Sequence, residues 1–205
     1  MTSASHIRKF PSSPLAQWDV PPWELTYRSE EIVAALLQAL DLSEFDVNEG
    51  IAVHRSCTVE SGAVLKAPLI LGPRCFVAAG AYLRGGCWVE ADCIFGPGAE
   101  LKSSYVFANS KLAHFNFVGD SILGERVNLE AGSIICNYRN EREDKEIRLP
   151  FDDRLVPTGV DKFGALLGDD ARLGANAVIA PGAIIPCGTV IRRCELFDAE
   201  QQVGK

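Results

Sequence analysis

The 205-residue sequence lacks an apolar run long enough to cross a bilayer, and its N-terminus lacks the charged-then-apolar pattern of a secretory signal. It is also poor in basic residues: 20 lysines and arginines stand against 27 acidic residues, for a formal net charge of −7. Nucleic acids and anionic membranes both require basic surface, so the charge disfavours them as general partners. These absences predict a cytoplasmic protein that binds neither nucleic acid nor membrane.

Residues that bind metals are scarce and poorly spaced. The chain has three histidines, and no two of its seven cysteines form a C-x-x-C pair. Zinc clusters are usually built from such pairs or from several histidines. We therefore expect structural cysteines and no metal site.

The sequence does contain a strong period of six residues. A large apolar residue recurs every sixth position, and a small residue follows most of them four positions later. One large and one small inward residue per hexapeptide is typical of a β-helix coil. The large positions are Val53, Val59, Leu65, Leu71, Val77, Leu83, Val89, Phe95, Leu101, Phe107, Ala113, then Leu123, Leu129, Ile135, and finally Leu167, Leu173, Ile179, Ile185 and Ile191.

This period predicts an all-β fold, a left-handed parallel β-helix with an N-terminal helical appendage. Each hexapeptide makes a short strand and a corner, and three of them close a triangular coil of eighteen residues. Coils then stack at the strand spacing of ~4.8 Å. Four cysteines fall on the small inward position, where Cys acts as a compact hydrophobe; these are Cys57, Cys75, Cys87 and Cys93.

The expected organisation has three parts. Residues 1–50 form an N-terminal extended segment and helix, 51–195 form the β-helix, and 196–205 form a tail. An inserted loop at 139–164 leaves the period, and its charged first half is expected to be a solvated hairpin or a contact to a neighbouring subunit.

The N-terminal part is expected to be extended over 1–28, with an anchor at Pro21-Pro22-Trp23. Ser29 followed by two glutamates predicts a helix N-cap, and the apolar spacing predicts a helix over 29–41. We expect this helix to pack on one end of the β-helix, where the open coil is otherwise an exposed sheet edge.

A shortened repeat between Ala113 and Leu123 marks the first place to look for function, because irregular backbone in a regular solenoid is expected where a site is built. His114 lies in this stretch, beside the Gly119-Asp120 turn.

The segment around His114 resembles a known family. Its motifs are Ala99-Glu100-Leu101-Lys102-Ser103-Ser104, Ala113-His114-Phe115-Asn116-Phe117-Val118-Gly119-Asp120, Val127-Asn128-Leu129-Glu130-Ala131-Gly132 and Ile135-Cys136-Asn137-Tyr138. They look like the acetyltransferase domain of bifunctional N-acetylglucosamine-1-phosphate uridyltransferases. A later stretch, Val160-Asp161-Lys162-Phe163-Gly164-Ala165-Leu166-Leu167-Gly168-Asp169, is similar to archaeal-type sugar-1-phosphate nucleotidylyltransferases. The resemblance spans roughly 55–192, and the nucleotidyltransferase half has no counterpart in this sequence.

The resemblance implies a trimeric acetyltransferase that moves acetyl from acetyl-CoA to the amine of a hexosamine-1-phosphate, without a metal. His114 would be the general base, a role that suits imidazole because it titrates near neutral pH. The other roles implied are sugar-phosphate binding by Arg84 and Lys102, sugar binding by Phe117 and Asn128, and contacts to acetyl-CoA by Ala131, Asn137, Tyr138, Ala175 and Arg192.

One part of this reading also follows from the repeat. Residues eighteen apart stack on the same face of the prism, and Arg84 and Lys102 are eighteen apart. Two stacked cations on an acidic protein favour a phosphate site. Ordinary outward charges are the alternative.

The chain departs from the family motif at three positions. Ala113 replaces the usual Gly before the histidine, Phe117 replaces a Tyr, and Ala175 stands at a serine-like cofactor contact. Loss of the Tyr hydroxyl removes one hydrogen bond to the sugar, which points to a changed acceptor or a weakened activity.

Two other functions remain open from the sequence. The first is a non-catalytic β-helical module that assembles with, or regulates, a sugar-nucleotide enzyme through the helix and the inserted loop. The second, much less favoured, is a zinc-dependent γ-type carbonic anhydrase, which needs three converging histidines where the coils offer only His54 and His114.

Overall fold

Three parallel sheets form the walls of a triangular prism in this computed structural model, which describes residues 3–151 and 154–202. Each coil contributes one strand to each sheet in turn. Sheet A contains β1 (Phe45–Asn48), β2 (Ile51–His54), β5 (Leu69–Leu71), β8 (Cys87–Val89), β11 (Tyr105–Val106), β14 (Ile122–Leu123), β19 (Ala165–Leu167) and β22 (Ala183–Ile185). Sheet B contains β3 (Thr58–Val59), β6 (Phe76–Val77), β9 (Ile94–Phe95), β12 (Lys111–Leu112), β15 (Asn128–Leu129), β20 (Arg172–Leu173) and β23 (Val190–Ile191). Sheet C contains β4 (Val64–Leu65), β7 (Tyr82–Arg84), β10 (Glu100–Lys102), β13 (Phe117–Gly119), β16 (Ile134–Ile135), β21 (Val178–Ile179) and β24 (Leu196–Phe197).

The predicted left-handed parallel β-helix with an N-terminal helical appendage is confirmed. Strands of successive coils pair in parallel and in register, as Leu83 does with Leu101 in sheet C. The inward residue of nearly every strand between the second coil and the last but one is buried in one continuous core. Stacked coils bury apolar area while every strand pairs with the coils on either side, which is why the hexapeptide pattern specifies this fold.

Two inward positions were predicted wrongly. The step from Leu101 to the next inward residue is five, so Val106 and Leu112 point into the prism instead of Phe107 and Ala113. Phe107 lies on the outside of sheet A, with its ring centroid 5.3 Å from that of Trp88. The corner from sheet C to sheet A is one residue shorter there and again between Val118 and Leu123. The sequence pattern does not reveal the shorter corner after Leu101, because Val106 and Phe107 are both apolar and either could be the inward residue.

The cysteines of the small inward position behave as predicted. Cys75, Cys87 and Cys93 are at most 1% exposed within the core, and Cys57 packs against it. Burial raises the pKa of the Cys87 thiol to about 11, so it remains protonated at neutral pH. Their thiols donate to carbonyls of the next coil, as Cys75 Sγ does to Glu90 O at 3.1 Å.

The N-terminal segment runs along the outer face of sheet A. It forms short 3-10 turns at Ser3–Ser5, Phe10–Ser12 and Pro14–Gln17, and the helices α1 (Pro22–Tyr27) and α2 (Ser29–Ala39). The helix predicted over 29–41 is confirmed, whereas the extended conformation predicted for 1–28 is wrong over residues 3–28, the part of that segment that the structure describes. Trp23 of the predicted anchor packs on Phe163, with ring centroids 6.4 Å apart.

Two details of the helix differ from the prediction. Ser29 is the first residue of α2 and not its N-cap, because its hydroxyl donates to Gly85 O at 2.9 Å. The helix does not close the end of the prism; its buried residues Ile32 and Leu36 join the cluster on the outside of sheet A. β1 follows a 3-10 turn at Leu42–Glu44 and extends sheet A at that end by pairing antiparallel with β2.

The inserted loop lies at the corner between sheets C and A. It carries the antiparallel hairpin of β17 (Arg148–Phe151) and β18 (Arg154–Pro157). The first charged residue of the loop, Arg139, is buried, so the predicted solvation of the charged run is wrong at that residue. Arg139 is 3% exposed and donates to Asp198 at 2.8 and 3.0 Å, next to the C-terminal 3-10 turn Ala199–Gln202. The loop is therefore held to the last coil by a buried ion pair.

Arg139→Leu should lower the free energy of unfolding by about 3–5 kcal/mol, since it leaves the buried carboxylate of Asp198 without its guanidinium partner, while Glu200 keeps Arg142 at 2.6 Å. Arg139 holds the pKa of Asp198 below its usual range, so this stabilisation is lost as the pH falls through the acidic range. Chemical denaturation at neutral pH measures the change. Arg74→Leu, which breaks the exposed pair with Asp92, is the control and should cost at most about 1 kcal/mol. Equal losses of unfolding free energy in Arg139→Leu and Arg74→Leu would contradict a stabilising buried ion pair between Arg139 and Asp198.

Candidate functional site

Four of the predicted site residues lie on one edge of the prism, the corner column between sheets B and C, called here the His114 edge. Backbone hydrogen bonds join consecutive coils along it: Gly132 N to His114 O at 2.8 Å, Asn176 N to Ala131 O at 3.0 Å and Cys194 N to Ala175 O at 2.9 Å. The structure thus brings together His114, Ala131, Ala175 and Arg192, one from each of four successive coils.

His114 is presented on an exposed turn between β12 and β13. The next residue, Phe115, has a left-handed φ of 52° and is 72% exposed. Its ring lies over Gly98, where an added Cβ would come within 2.5 Å of Phe115 Cδ1. The imidazole of His114 has no hydrogen-bond partner among the described residues. A general base is usually oriented by a second polar group, and for His114 such a group would have to come from another molecule.

Behind the His114 turn lies Asn116, which is 2% exposed and occupies the small inward position of its coil. Its side-chain amide donates to Glu130 O at 2.8 Å and to Ser133 Oγ at 2.9 Å. This ties the turn to the next coil, so Asn116 fixes the position of the His114 backbone.

The cationic residues lie on a different edge, the corner column between sheets C and A, called here the Lys102 edge. Arg84 and Lys102 pair in register at the ends of β7 and β10, so the predicted stacking is confirmed. Each cation also has a carboxylate partner. Arg84 contacts Glu100 at 2.6 Å, and Lys102 contacts Asp120 at 2.8 Å. A phosphate bound there would compete with these carboxylates.

Asp120 is the main residue of this edge that sequence reasoning passed over. It is 4% exposed, holds Lys102 and accepts a hydrogen bond from the side chain of Asn137. Asp120 follows Gly119, the residue of the next coil that pairs with Lys102, and the Gly119-Asp120 turn near His114 is the sequence signal that could have found it. The buried carboxylate orients both the ammonium of Lys102 and the amide of Asn137.

Phe117 joins the same cluster from sheet C. A Cβ added at Gly119 would lie 2.9 Å from Phe117 Cζ and 2.8 Å from Asn137 Nδ2. The para carbon, where a tyrosine would carry its hydroxyl, therefore approaches the Asn137 amide. Tyr138 lies apart, with Lys145 Nζ 5.3 Å from its ring centroid.

The two edges are separated by sheet C, because Phe117 and Gly119 of β13 face Glu100 and Lys102 of β10, while His114 precedes that strand. A single chain therefore does not bring the predicted base to the predicted phosphate ligands. Asn128 lies elsewhere again, on sheet B between Lys111 and Arg172.

The outer face of sheet C is largely apolar. The first residue of each strand points outward in a vertical stack, and six of these seven residues are hydrophobic. Val64 and Leu196 at the two ends are 42% and 61% exposed. The stack, called here the sheet C stripe, consists of Val64, Tyr82, Glu100, Phe117, Ile134, Val178 and Leu196.

Two clefts flank these edges. A cleft of about 440 Å³ on sheet B is lined by Asn128, Glu130, Arg172, Leu173, Gly174, Val190, Ile191, Arg192 and Arg193. A second, of about 500 Å³, lies between the start of α2 and the Lys102 edge, where Asp161 and Lys162 also line it. The described ranges contain neither a group of three His, Cys, Asp or Glu residues able to hold a metal ion nor a helix able to span a membrane.

Known proteins resemble this chain in part. The family described as hexapeptide repeat of succinyl-transferase matches residues 163–192. A bifunctional sugar-1-phosphate nucleotidylyltransferase/acetyltransferase of Sulfurisphaera tokodaii is 27% identical over 168 residues, which cover 80% of this chain and 41% of the relative. The bifunctional protein GlmU of Desulfitobacterium hafniense is 30% identical over 147 residues, covering 67% and 28%. The chain spans less than half the length of these relatives.

Solved structures resemble it more remotely. A hexapeptide transferase family protein from Anaplasma phagocytophilum is 16% identical with a TM-score of 0.39, covering 72% of this chain and 74% of that chain. A protein described as a putative acetyltransferase of Bacillus cereus is 12% identical with a TM-score of 0.39, covering 68% and 71%.

Proposed function

We infer an acyl-transfer function for this chain, which is a hexapeptide-repeat protein homologous to the acetyltransferase portion of bifunctional sugar-1-phosphate nucleotidylyltransferase/acetyltransferases. We propose that it transfers acetyl from acetyl-CoA to the amine of an amino-sugar phosphate of the hexosamine-1-phosphate class. A cytoplasmic location goes with this proposal.

The observation that carries the proposal is the arrangement of the two edges. His114 stands exposed at the start of a column of small residues, and Lys102, Asp120 and Asn137 form a polar cluster across the same sheet. A base and a phosphate-binding group at opposite edges of one prism can serve one substrate when a second copy packs alongside.

We therefore propose a homotrimer in which the His114 edge of one subunit faces the Lys102 edge of the next. The sheet C stripe supports this assembly, because an apolar sheet face of this height needs a cover in water. A closed ring with head-to-tail contacts forms one such composite site at each interface.

In the proposed reaction the amine nitrogen of the sugar attacks the carbonyl carbon of the thioester. His114 takes the proton from that nitrogen as the new C–N bond forms. The C–S bond then breaks, and the imidazolium returns the proton to the departing thiolate of CoA. Lys102 and Arg84 hold the sugar phosphate, while Asn128 and Asn137 bind polar groups of the two substrates.

The direct test is release of free thiol from acetyl-CoA by the purified protein, with glucosamine-1-phosphate and galactosamine-1-phosphate as the first acceptors. Thiol release that depends on one acceptor supports the reaction class and identifies the substrate. No release with any amino-sugar phosphate, from folded protein, would instead favour the non-catalytic assembly module.

Phe117→Tyr should raise activity on glucosamine-1-phosphate. The added hydroxyl would sit beside the Asn137 amide and restore a hydrogen-bonding group to the sugar side of the site. One recovered hydrogen bond is worth about 0.5–1.5 kcal/mol, which corresponds to a gain of roughly two- to tenfold in kcat/KM.

The matched control is Phe76→Tyr, which adds a hydroxyl to a partly exposed phenylalanine on sheet B. It should leave kcat/KM unchanged. A lack of gain in Phe117→Tyr, with the fold intact, would mean that the pocket accepts a different amino sugar.

A further inference from the structure

Phe115 occupies a corner position that the coils on either side give to glycine. It follows His114 on the His114 edge and has a left-handed φ of 52°. The equivalent residue of the coil before is Gly98 and that of the coil after is Gly132, with φ values of 69° and 70°. Glycine adopts this conformation without steric cost, whereas a bulky side chain rarely does. Phe115 is the only aromatic residue with a positive φ in the described ranges.

Packing within the chain does not explain this aromatic ring. Phe115 is 72% exposed, so it buries little apolar area against its own subunit. A Cβ added at Gly98 would lie 2.5 Å from Phe115 Cδ1 and 2.8 Å from Cε1, so the ring rests on the bare backbone of the coil before. A strained and exposed residue beside a candidate base is a feature expected of a functional site.

The ring points away from the donor side of the His114 edge. The proposed donor contacts Ala131 and Ala175 lie on the coils after His114. The ring lies instead over Gly98, on the coil before. β10 starts two residues after Gly98 and ends at Lys102, so the ring lies near the height of Lys102 along the prism. Parallel prisms in a ring keep these heights, and the aromatic ring therefore faces the acceptor side of the shared site.

An aromatic face at this point fits the ring of a sugar. The C–H groups on one face of a pyranose carry a partial positive charge, and the face of an aromatic ring is partially negative. In the proposed reaction the amine of the acceptor reaches His114 and its phosphate reaches Lys102. The sugar ring that joins these two groups then lies between the two edges, beside Phe115.

We propose that Phe115 stacks on the pyranose ring of the acceptor and sets the preference of the site for an amino sugar over a smaller amine. This assignment rests on the proposed acetyl transfer. The aromatic face holds the sugar ring, while the two edges hold the amine and the phosphate. Phe115 is thus a specificity-determining residue that takes no part in proton transfer, and the family resemblance implies no role for it.

Acceptor selectivity tests the stacking. The two acceptors are glucosamine-1-phosphate and 2-aminoethyl phosphate, which keeps the N–C–C–O–P spacing of the sugar without its ring. Phe115→Gly should lower kcat/KM for glucosamine-1-phosphate by about two- to tenfold, the value of one aromatic contact, mainly through a higher KM. It should leave kcat/KM for 2-aminoethyl phosphate unchanged. Phe115→Tyr keeps the aromatic ring and should retain the wild-type selectivity.

Phe115→Gly should fold and assemble normally, because Gly98 and Gly132 occupy the same corner of the neighbouring coils. Phe76→Leu, which removes a partly exposed aromatic ring from sheet B, is the control and should leave the selectivity unchanged. Equal losses with both acceptors in Phe115→Gly would overturn the stacking, because the ring would then act only on the His114 turn. Loss of the trimer, measured by light scattering, would also overturn it and make Phe115 a contact between subunits.

Binding measured by calorimetry separates this inference from the proposed function. Glucosamine-1-phosphate alone should bind Phe115→Gly more weakly than the wild type by about two- to tenfold. If this difference is found but no acceptor is acetylated, the stacking stands and the proposed reaction fails. If acetyl transfer to glucosamine-1-phosphate is equally efficient in the wild type and Phe115→Gly, the stacking fails and the proposed function stands. A wild-type protein that binds no amino-sugar phosphate would overturn both.

Discussion

His114→Ala should reduce acetyl transfer by about 10²- to 10⁴-fold, the contribution expected of a general base, while leaving the fold and the assembly unchanged. The side chain is exposed on a turn, and the substitution breaks no hydrogen bond of the described chain. The rate of thiol release from acetyl-CoA with the best acceptor measures the effect. CoA binding should remain at the wild-type level, because the substitution removes only the group that accepts the proton.

His54→Ala is the matched control, because it removes a second histidine of the solenoid that pairs with Glu44 at 3.4 Å at the far end of the prism. It should retain wild-type turnover. Unchanged turnover in His114→Ala would remove His114 as the base, and an equal loss in both variants would point to a general defect in folding.

A pair of arginines in the middle of the sheet C stripe should abolish the trimer and, with it, the activity. Ile134 and Val178 are adjacent in register on β16 and β21 and face outward. Ile134→Arg with Val178→Arg would bury two like charges without partners in the proposed interface, at a cost of several kcal/mol per charge. Light scattering after size-exclusion chromatography should change from a trimer to a monomer, and thiol release should fall to background.

Thr58→Arg adds a charge at an exposed position of sheet B and should leave the assembly intact. If the variant with both Ile134→Arg and Val178→Arg stays trimeric, the interface lies on another face. If it becomes monomeric but keeps full turnover, a single prism holds the complete site.

Mixed oligomers test the shared site more directly. His114→Ala and Lys102→Gln variants should each be inactive alone, because each lacks one half of every interface. Co-expressed at equal levels, they should recover about a quarter of wild-type activity, since half of the His114 edges and half of the Lys102 edges are intact and pair at random. No recovery would mean that both residues act within one chain.

The sequence predicted the parts of the molecule that repeat. The hexapeptide period predicted the fold, the buried cysteines and the stacking of Arg84 on Lys102, because each depends only on contacts between neighbouring coils. It predicted a helix over 29–41 from its apolar face, and the helix is found at Ser29–Ala39, since amphipathic spacing is also a local property.

The register of the middle coils was decided by the tertiary structure. The corner between sheets C and A is one residue shorter after Leu101, and the apolar pair Val106-Phe107 conceals the slip in the sequence. Val106 points inward, and Phe107 packs outside sheet A on Phe10 of the N-terminal segment, with ring centroids 6.3 Å apart. Contacts between segments so far apart in the chain leave no periodic trace.

The candidate site divides in the same way. Family motifs and spacing were enough to select His114 and Lys102, but not the Asp120 carboxylate that holds Lys102 or the arginine cleft on sheet B. The sequence by itself determined a stack of coils, because one large and one small inward residue per hexapeptide has a single good packing solution. Only the tertiary structure decided which residues share an edge, because the length of each corner sets the direction of every side chain that follows it.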